Sequence, residues 1–435
     1  MTGQPPASRI GERLPWASQS RLLHLLVLAL PFVVVIAGWH GLSHTFPAFQ
    51  GGDEILHYPI VQTVAAQWPR PWLSGYGAWS GPLVYWLLAT LALPFGGSLV
   101  AVRLVVAAFS WGTCAVAYVL FRDRLQARPP DALALALLLA VSPFFFGQSF
   151  RVLTDNPTWF FVVLGLERLL AYVQRPRMWR LVAFAACLVA ATLMRQIAIW
   201  LALPGLIALL GVPVPRRRRL GGLAVLSLAL VPLAALLLYW GGPLPHAAGA
   251  VASPTPLVPA HRTRNVLLSL GVVGSYAVFL LPAAEVASWW RRARRDRAWL
   301  AVLTLPPLAA LGLLAAGVLG LVTSYLGLVS RVPFPHLAGS SLLWWLVIPL
   351  GATVAAGLLA SRLPDVKSRV LLAALVGVLL SSLANVIWYE RYVDFPILLA
   401  LAALALAAGV TLRRSDHERW LLAGVIAIAS LFWLL

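Results

Sequence analysis

Apolar runs about as long as a bilayer is thick recur along almost the whole of this chain, and they leave it few ways to fold. A helix needs roughly 20 apolar residues to cross a hydrocarbon core of about 30 Å. No water reaches the peptide groups there, so a spanning segment satisfies them internally, as a helix does. Of 435 residues, 61% are hydrophobic and only 11% charged, with a mean hydropathy of +0.86. Soluble domains carry about 25% charged residues, which leaves no room here for a sizeable soluble domain. The sequence predicts an all-α polytopic membrane protein in which residues 1–435 form a single transmembrane domain.

The net charge of +19 does not point to nucleic acid, because no basic patch comes with a soluble fold to present it. The arginines instead sit in short clusters between apolar runs. Such loops stay cytoplasmic and set orientation. The clusters are Arg122, Arg124 and Arg128, then Arg216 to Arg219, then Arg291, Arg292, Arg294, Arg295 and Arg297. They predict a cytoplasmic N-terminus and an uncleaved first span at 21–38, since Ala-Gly-Trp-His replaces a small-x-small cleavage site. Residues 40–98 become the first outer loop. Within it, Trp68-Pro69-Arg70-Pro71-Trp72 and Gly75, Gly77 and Gly81 point to short interfacial helices. The apolar segment 82–95 is too short to cross and lies against the outer surface. A crossing at 99–121 is followed by spans at 131–148, 157–174, 180–195, 196–211, 220–240, 266–289, 300–323, 342–360, 370–388, 395–411 and 420–435. That makes about thirteen spans, with the C-terminus outside. Cys114 and Cys187 both lie in apolar runs, so neither belongs to a loop disulfide.

This topology collects the rarest residue types on one side. Gly51-Gly52-Asp53-Glu54-Ile55-Leu56-His57-Tyr58-Pro59 follows the first span, and its adjacent carboxylates stand out in a chain with only 14 acidic residues. The glycines permit a sharp turn without a Cβ penalty. Arg151, Thr154, Asp155 and Asn156 lie in the next outer loop. Arg195 and Gln196 stand where two spans meet. Later loops add His246, His261, Arg262, Arg264, Arg331, His336, Glu390, Arg391 and Asp394. A charge at membrane depth costs about 2.5–3.5 kcal/mol on insertion scales, which makes such residues functional candidates. Plainer roles compete. Asp53 and Glu54 also suit solvated loop charges, and Asp155 before Pro157 suits a helix N-terminus. His57 also suits a structural hydrogen bond. No His/Cys cluster has metal-ligand spacing, and no glycine-rich loop provides a nucleotide cradle.

The pattern Asp53-Glu54-x-x-His57-x-Pro59-x-x-Gln62, followed by Trp68 and Gly81-Pro82-x-x-Tyr85, resembles the terminal α-1,2-glucosyltransferases of lipid-linked oligosaccharide synthesis. Arg195-Gln196-x-x-x-Trp200 and Glu390-Arg391-Tyr392-x-x-x-Pro396 are two further matches. All belong to what resembles the GT-C class of multi-span glycosyltransferases. Thr154-Asp155-Asn156-Pro157 with Trp159-Phe160-Phe161 is similar to the second acidic motif of the lipid-A aminoarabinose and protein mannosyl transferases.

The resemblance implies a GT-C fold and an inverting transfer of a hexose, with glucose favoured, from a polyprenyl-phosphate donor. The acceptor is a hydroxyl on a glycan, a lipid-linked sugar or a protein. Asp53, Glu54 and Asp155 are the candidate catalytic carboxylates, with Asp53 as general base. The leaving phosphate calls for arginine: Arg391 first, then Arg195, Arg262 and Arg264. His57, Gln62, Gln196, Tyr392 and Glu390 would position substrate. No cofactor is required and no metal is expected, a divalent cation being the alternative. The implied location is a bacterial cytoplasmic membrane with the site on its outer face. A lipid or solute transporter and a non-catalytic assembly subunit of the same fold are the competing readings.

Overall fold

A computed structural model describes residues 15–38, 54–69, 78, 80–242, 245, 259–281, 283–316, 336–337, 340–361, 365–384 and 390–407. The apolar runs become helices, as peptide groups in hydrocarbon require. The first half contains α1 (Pro15–Gly38), α2 (Glu54–Ala66), α3 (Leu83–Ala92), α4 (Leu99–Val119), α5 (Pro129–Ala140), α6 (Pro143–Gln148), α7 (Asp155–Gln174), α8 (Met178–Met194), α9 (Ala202–Gly211) and α10 (Arg216–Trp240). The second contains α11 (Pro259–Leu280), α12 (Ala283–Ala293), α13 (Arg297–Ala315), α14 (Leu342–Ser361), α15 (Val366–Ala384) and α16 (Glu390–Ala407). A two-residue antiparallel pairing, His336–Leu337 with Ser340–Ser341, precedes α14. The fold is all-α. Seven of the described helices are long and apolar enough to cross a membrane, and five shorter apolar helices accompany them.

The segment between α1 and α4 contains the short helices α2 and α3, and the stretch 68–81 expected to form interfacial helices lies largely outside the described residues. α3 buries Val84, Tyr85, Leu88, Ala89 and Ala92, positions spaced along one helical face. They pack on Val61 and Val64 of α2, Val102 and Val106 of α4, and Met194 and Trp240. α4 starts at Ser98, whose hydroxyl accepts the Ala101 N–H at 3.2 Å, a standard N-cap.

Two expected spans differ from the structure. Residues 131–148 do not form one helix: α5 stops at Ala140, Ser142 is extended (ψ 134°), and α6 begins at Pro143. The residue before a proline is pushed out of the helical region, which breaks the run there. The span at 266–289 ends at Leu280, before Pro282, and α12 is a separate helix. α12 alternates Trp289, buried, with exposed Trp290, Arg291 and Arg292. The expected span at 420–435 lies outside the described residues.

α16 is the centre of the bundle. From Val393 to Leu406 every side chain is buried. A helix apolar all round belongs in an interior. Phe395 stacks on Phe145 (centroids 4.5 Å apart) and on Trp159 (6.1 Å), tying α16 to α6 and α7. α11 and α14 meet backbone to backbone. A Cβ on Gly274 would stand 1.9 Å from the Val347 carbonyl oxygen, and one on Gly351 would stand 1.8 Å from that of Leu270. Small residues are what allow helices this close in a membrane.

Candidate active site

Glu54 opens α2 and is 1% exposed. A carboxylate buried this deeply needs a charged partner and further hydrogen bonds to offset its lost hydration. Arg103 of α4 supplies the partner: Nε donates to Oε1 at 2.9 Å and Nη2 to Oε2 at 2.5 Å. Its side chain is fully buried. The Val152 N–H donates to the same Oε1 at 2.7 Å. One carboxylate therefore joins the first loop to α4 and to the loop before α7. Three residues on, and so on the same helical face, His57 Nδ1 lies 2.5 Å from the Tyr85 hydroxyl. That hydroxyl is also 2.8 Å from the Ser80 hydroxyl.

Beside Ser80 the backbone runs directly onto α8. The Gly81 N–H donates to the Met194 carbonyl at 2.8 Å, and a Cβ at Gly81 would meet the Leu193 carbonyl oxygen at 1.9 Å. Only glycine permits that approach. It brings the first loop next to Arg195, which is extended (φ −143°) between α8 and the 3₁₀ turn Gln196–Leu201.

Arg195 joins the two halves of the chain. Its Nη1 donates to Asp155 Oδ1 and, at 3.2 Å, to the Thr154 hydroxyl. Its guanidinium sits 4.2 Å from the centre of the Tyr392 ring on α16, within cation–π range. Asp155 lies in the first turn of α7, where a carboxylate meets the positive end of the helix. The Thr154 side chain makes no cap, and Asp155 is turned to Arg195 instead. Asn156 fixes the approach to α7 by donating to the Ser110 and Ser149 hydroxyls and the Phe145 carbonyl. One further acidic group lies close in sequence to Tyr392. Asp394, 4% exposed, accepts from the Tyr276 hydroxyl of α11 through Oδ1, while its Oδ2 has no hydrogen bond among the described residues.

The structure thus brings together Glu54, His57, Asp155, Arg195 and Tyr392. Gln62 points away and is exposed. Gln196 adjoins Arg195, with a buried Nε2 that makes no hydrogen bond among the described residues. Arg262 is exposed and Arg264 half-buried, and neither is ion-paired within the described residues. Asp53, and the side chains of Glu390 and Arg391, lie outside the described residues. Arg103 and Tyr276 are partners that the sequence reading missed. Arg103 did carry a signal: an arginine within an apolar run, which demands a buried counter-charge.

The helical bundle has the fold of the GT-C type, a class of membrane glycosyltransferases, as its similarity to a solved member shows. The similarities agree. The profile of the family described as dolichyl-phosphate-mannose-protein mannosyltransferase matches residues 80–240. Archaeal oligosaccharyltransferase AglB from Archaeoglobus fulgidus, solved with an inhibitory peptide and a dolichol-phosphate, has 16% identity and a TM-score of 0.53. The match covers 97% of this chain and 56% of that one. The S. cerevisiae protein O-mannosyltransferase Pmt1–Pmt2 complex bound to the sugar donor matches at 19% identity over 51% of this chain and 33% of that one, with a TM-score of 0.39. ArnT from Cupriavidus metallidurans bound to undecaprenyl phosphate matches at 18% identity over 91% and 77%, with a TM-score of 0.42. The chain therefore spans a third of the yeast chain and little more than half of the archaeal one. Among curated proteins none matches.

Proposed function

We propose that the chain is a membrane glycosyltransferase moving a hexose from a polyprenyl-phosphate donor to an acceptor hydroxyl, with glucose favoured by the first-loop motif. The observation that carries this reading is Arg195, held by Asp155 and Thr154 on one side and by the Tyr392 ring on the other. A guanidinium oriented in this way is suited to a phosphate leaving group. Support for a lipid-phosphate donor comes from the family profile over 80–240, and from the dolichol-phosphate bound by the archaeal protein of the same fold.

In this reading the acceptor oxygen attacks the anomeric carbon, the bond from that carbon to the lipid phosphate breaks, and the acceptor proton passes to a carboxylate. One displacement inverts the anomeric centre. Asp53 is the base. Its neighbour Glu54 is already engaged by Arg103 and by the Val152 N–H, and it anchors the loop. Asp155 orients Arg195. Arg391 and Arg195 share the leaving phosphate, with Arg262 and Arg264 as the next candidates. The described carboxylates Glu54 and Asp155 each carry a guanidinium counter-charge, which suits a mechanism without a divalent ion. The site faces outward from the cytoplasmic membrane.

General-base catalysis contributes roughly 10²–10⁴-fold, so Asp53→Asn is expected to lose transfer on that order while still binding donor. The assay is transfer of labelled sugar from polyprenyl phosphates by purified protein in lipid nanodiscs, with and without a chelator. An Asp53→Asn variant with undiminished turnover removes Asp53 as base. Loss of wild-type turnover on chelation removes the metal-free mechanism.

A further inference from the structure

At the end of the bundle opposite Arg195 there is a second concave site with its own chemistry. α7 carries Asp155 at its start and Tyr172 near its end, roughly 25 Å apart at 1.5 Å per residue. Around Tyr172 lies an open groove of about 420 Å³, lined by Pro176, Arg177, Met178, Trp179, Val214 and Arg218. This is within the range of about 300–1,000 Å³ usual for ligand pockets. Its two arginines come from different segments, the α7–α8 turn and the first turn of α10.

Both arginines are exposed, and their guanidinium groups are open to a ligand. Neither Arg177 nor Arg218 makes a side-chain hydrogen bond or ion pair among the described residues. The nearest acidic side chain on α7, Glu167, is already shared by Arg124 and Arg168. A second observation strengthens the case for an anion. α10 begins Arg216-Arg217-Arg218-Arg219 and has no acidic residue in its first turn, and α8 has none in its own. The positive ends of two helices thus meet a row of exposed guanidinium groups, an arrangement that attracts negative charge. In the groove wall, Met178 and Trp179 are 38% and 53% exposed, and the Arg180 guanidinium lies 5.4 Å from the centre of the Trp179 ring. Tryptophan at the foot of an apolar helix favours the headgroup level of a bilayer.

We propose that this groove binds the phosphate headgroup of an anionic glycerophospholipid from the surrounding leaflet. Arg177 and Arg218 hold the phosphate from either side, and Met178 and Trp179 lie along the acyl chains. Arginine engages phosphate bidentately, and basic pockets between membrane helices select anionic lipids in this way. The glycerophospholipid is favoured over a free anion because the exposed apolar pair adjoins the arginines.

The test uses the full-length protein in detergent, titrated with fluorescent phosphatidylglycerol, with phosphatidylcholine as the zwitterionic comparison and inorganic phosphate as competitor. Each arginine at a membrane surface contributes roughly fivefold to anionic-lipid affinity, and direct contact with the phosphate adds to this, so Arg177→Gln/Arg218→Gln should weaken phosphatidylglycerol binding by more than roughly thirtyfold. Arg175→Gln/Arg216→Gln removes the same charge from neighbours that do not line the groove, and should lose at most the roughly thirtyfold of diffuse charge. Thermal midpoints in phosphatidylcholine nanodiscs check that both variants fold. Arg177→Lys/Arg218→Lys, which keeps the charge and loses the planar fork, should fall between wild type and the glutamine pair. Equal losses in the two glutamine pairs would reduce the effect to diffuse charge and overturn the site. So would unchanged binding in the groove variant. Displacement of the lipid by millimolar inorganic phosphate, or equal binding of phosphatidylcholine, would overturn the lipid assignment.

Discussion

Arg103→Met isolates the interaction on which the first loop depends. In the native fold the Glu54 carboxylate is held by two Arg103 hydrogen bonds at 2.9 and 2.5 Å and by the Val152 N–H at 2.7 Å. Both side chains are essentially inaccessible. Removing the arginine leaves a buried charge with one backbone donor, and breaking such a pair costs about 3–5 kcal/mol. That is a factor of a hundred or more in the folded ratio, at about 1.4 kcal/mol per tenfold. Arg103→Met/Glu54→Gln removes the stranded charge but keeps an amide oxygen for the Val152 N–H. Replacing a buried pair by neutral groups of similar volume is often close to neutral, so the double variant should recover to within about 1–2 kcal/mol. Thermal midpoints in nanodiscs rank the three proteins. Sugar transfer should stay depressed in the double variant, because the clamp beside Asp53 is gone. The reasoning fails if Arg103→Met melts with the wild type, or if the double variant melts no higher than the single one.

Tyr392→Phe keeps the ring face under Arg195 and should leave donor kcat/KM within about twofold, whereas Tyr392→Leu forfeits a cation–π contact of roughly 0.5–2 kcal/mol and should lower it about two- to thirtyfold. Equal effects of the two substitutions in the transfer assay would discard the ring contact. Gly274→Ala drives a Cβ to 1.9 Å from the Val347 carbonyl oxygen. Overpacking of this kind costs about 1–3 kcal/mol or more, read as a lower thermal midpoint beside Gly312→Ala, where nothing lies within 4 Å.

What the sequence disclosed, and what it hid, follows from the range of each interaction. Apolar length and arginine spacing are local, and they gave the helices around 99–121, 157–174 and 342–360 closely. The break at Ser142-Pro143 was also local, but hydropathy averaged over a window passes across it. The same averaging carried the span at 266–289 through Pro282, although the Trp-Trp-Arg-Arg end of α12 already departs from a lipid-facing pattern. Site pairings are not local at all. Arg103 is 49 residues from Glu54 and Tyr276 is 118 from Asp394, and no periodicity encodes a contact at that distance. Short motifs did mark Glu54, His57, Asp155, Arg195 and Tyr392 as candidates. That Glu54 is anchored by an arginine inside α4, while Gln62 faces outward, depends on packing that only the folded chain supplies.

The contact of Arg195 with Tyr392 joins parts of the chain that lie far apart in sequence. The recognisable family pattern stops at residue 240, yet one wall of the arginine's surroundings is an aromatic ring from α16, far beyond it. The matched stretch alone therefore leaves the arginine's surroundings open on the side that α16 closes. Grafting the segment after residue 259 from another protein of this fold onto the first half of this one would therefore replace the surface that faces the arginine.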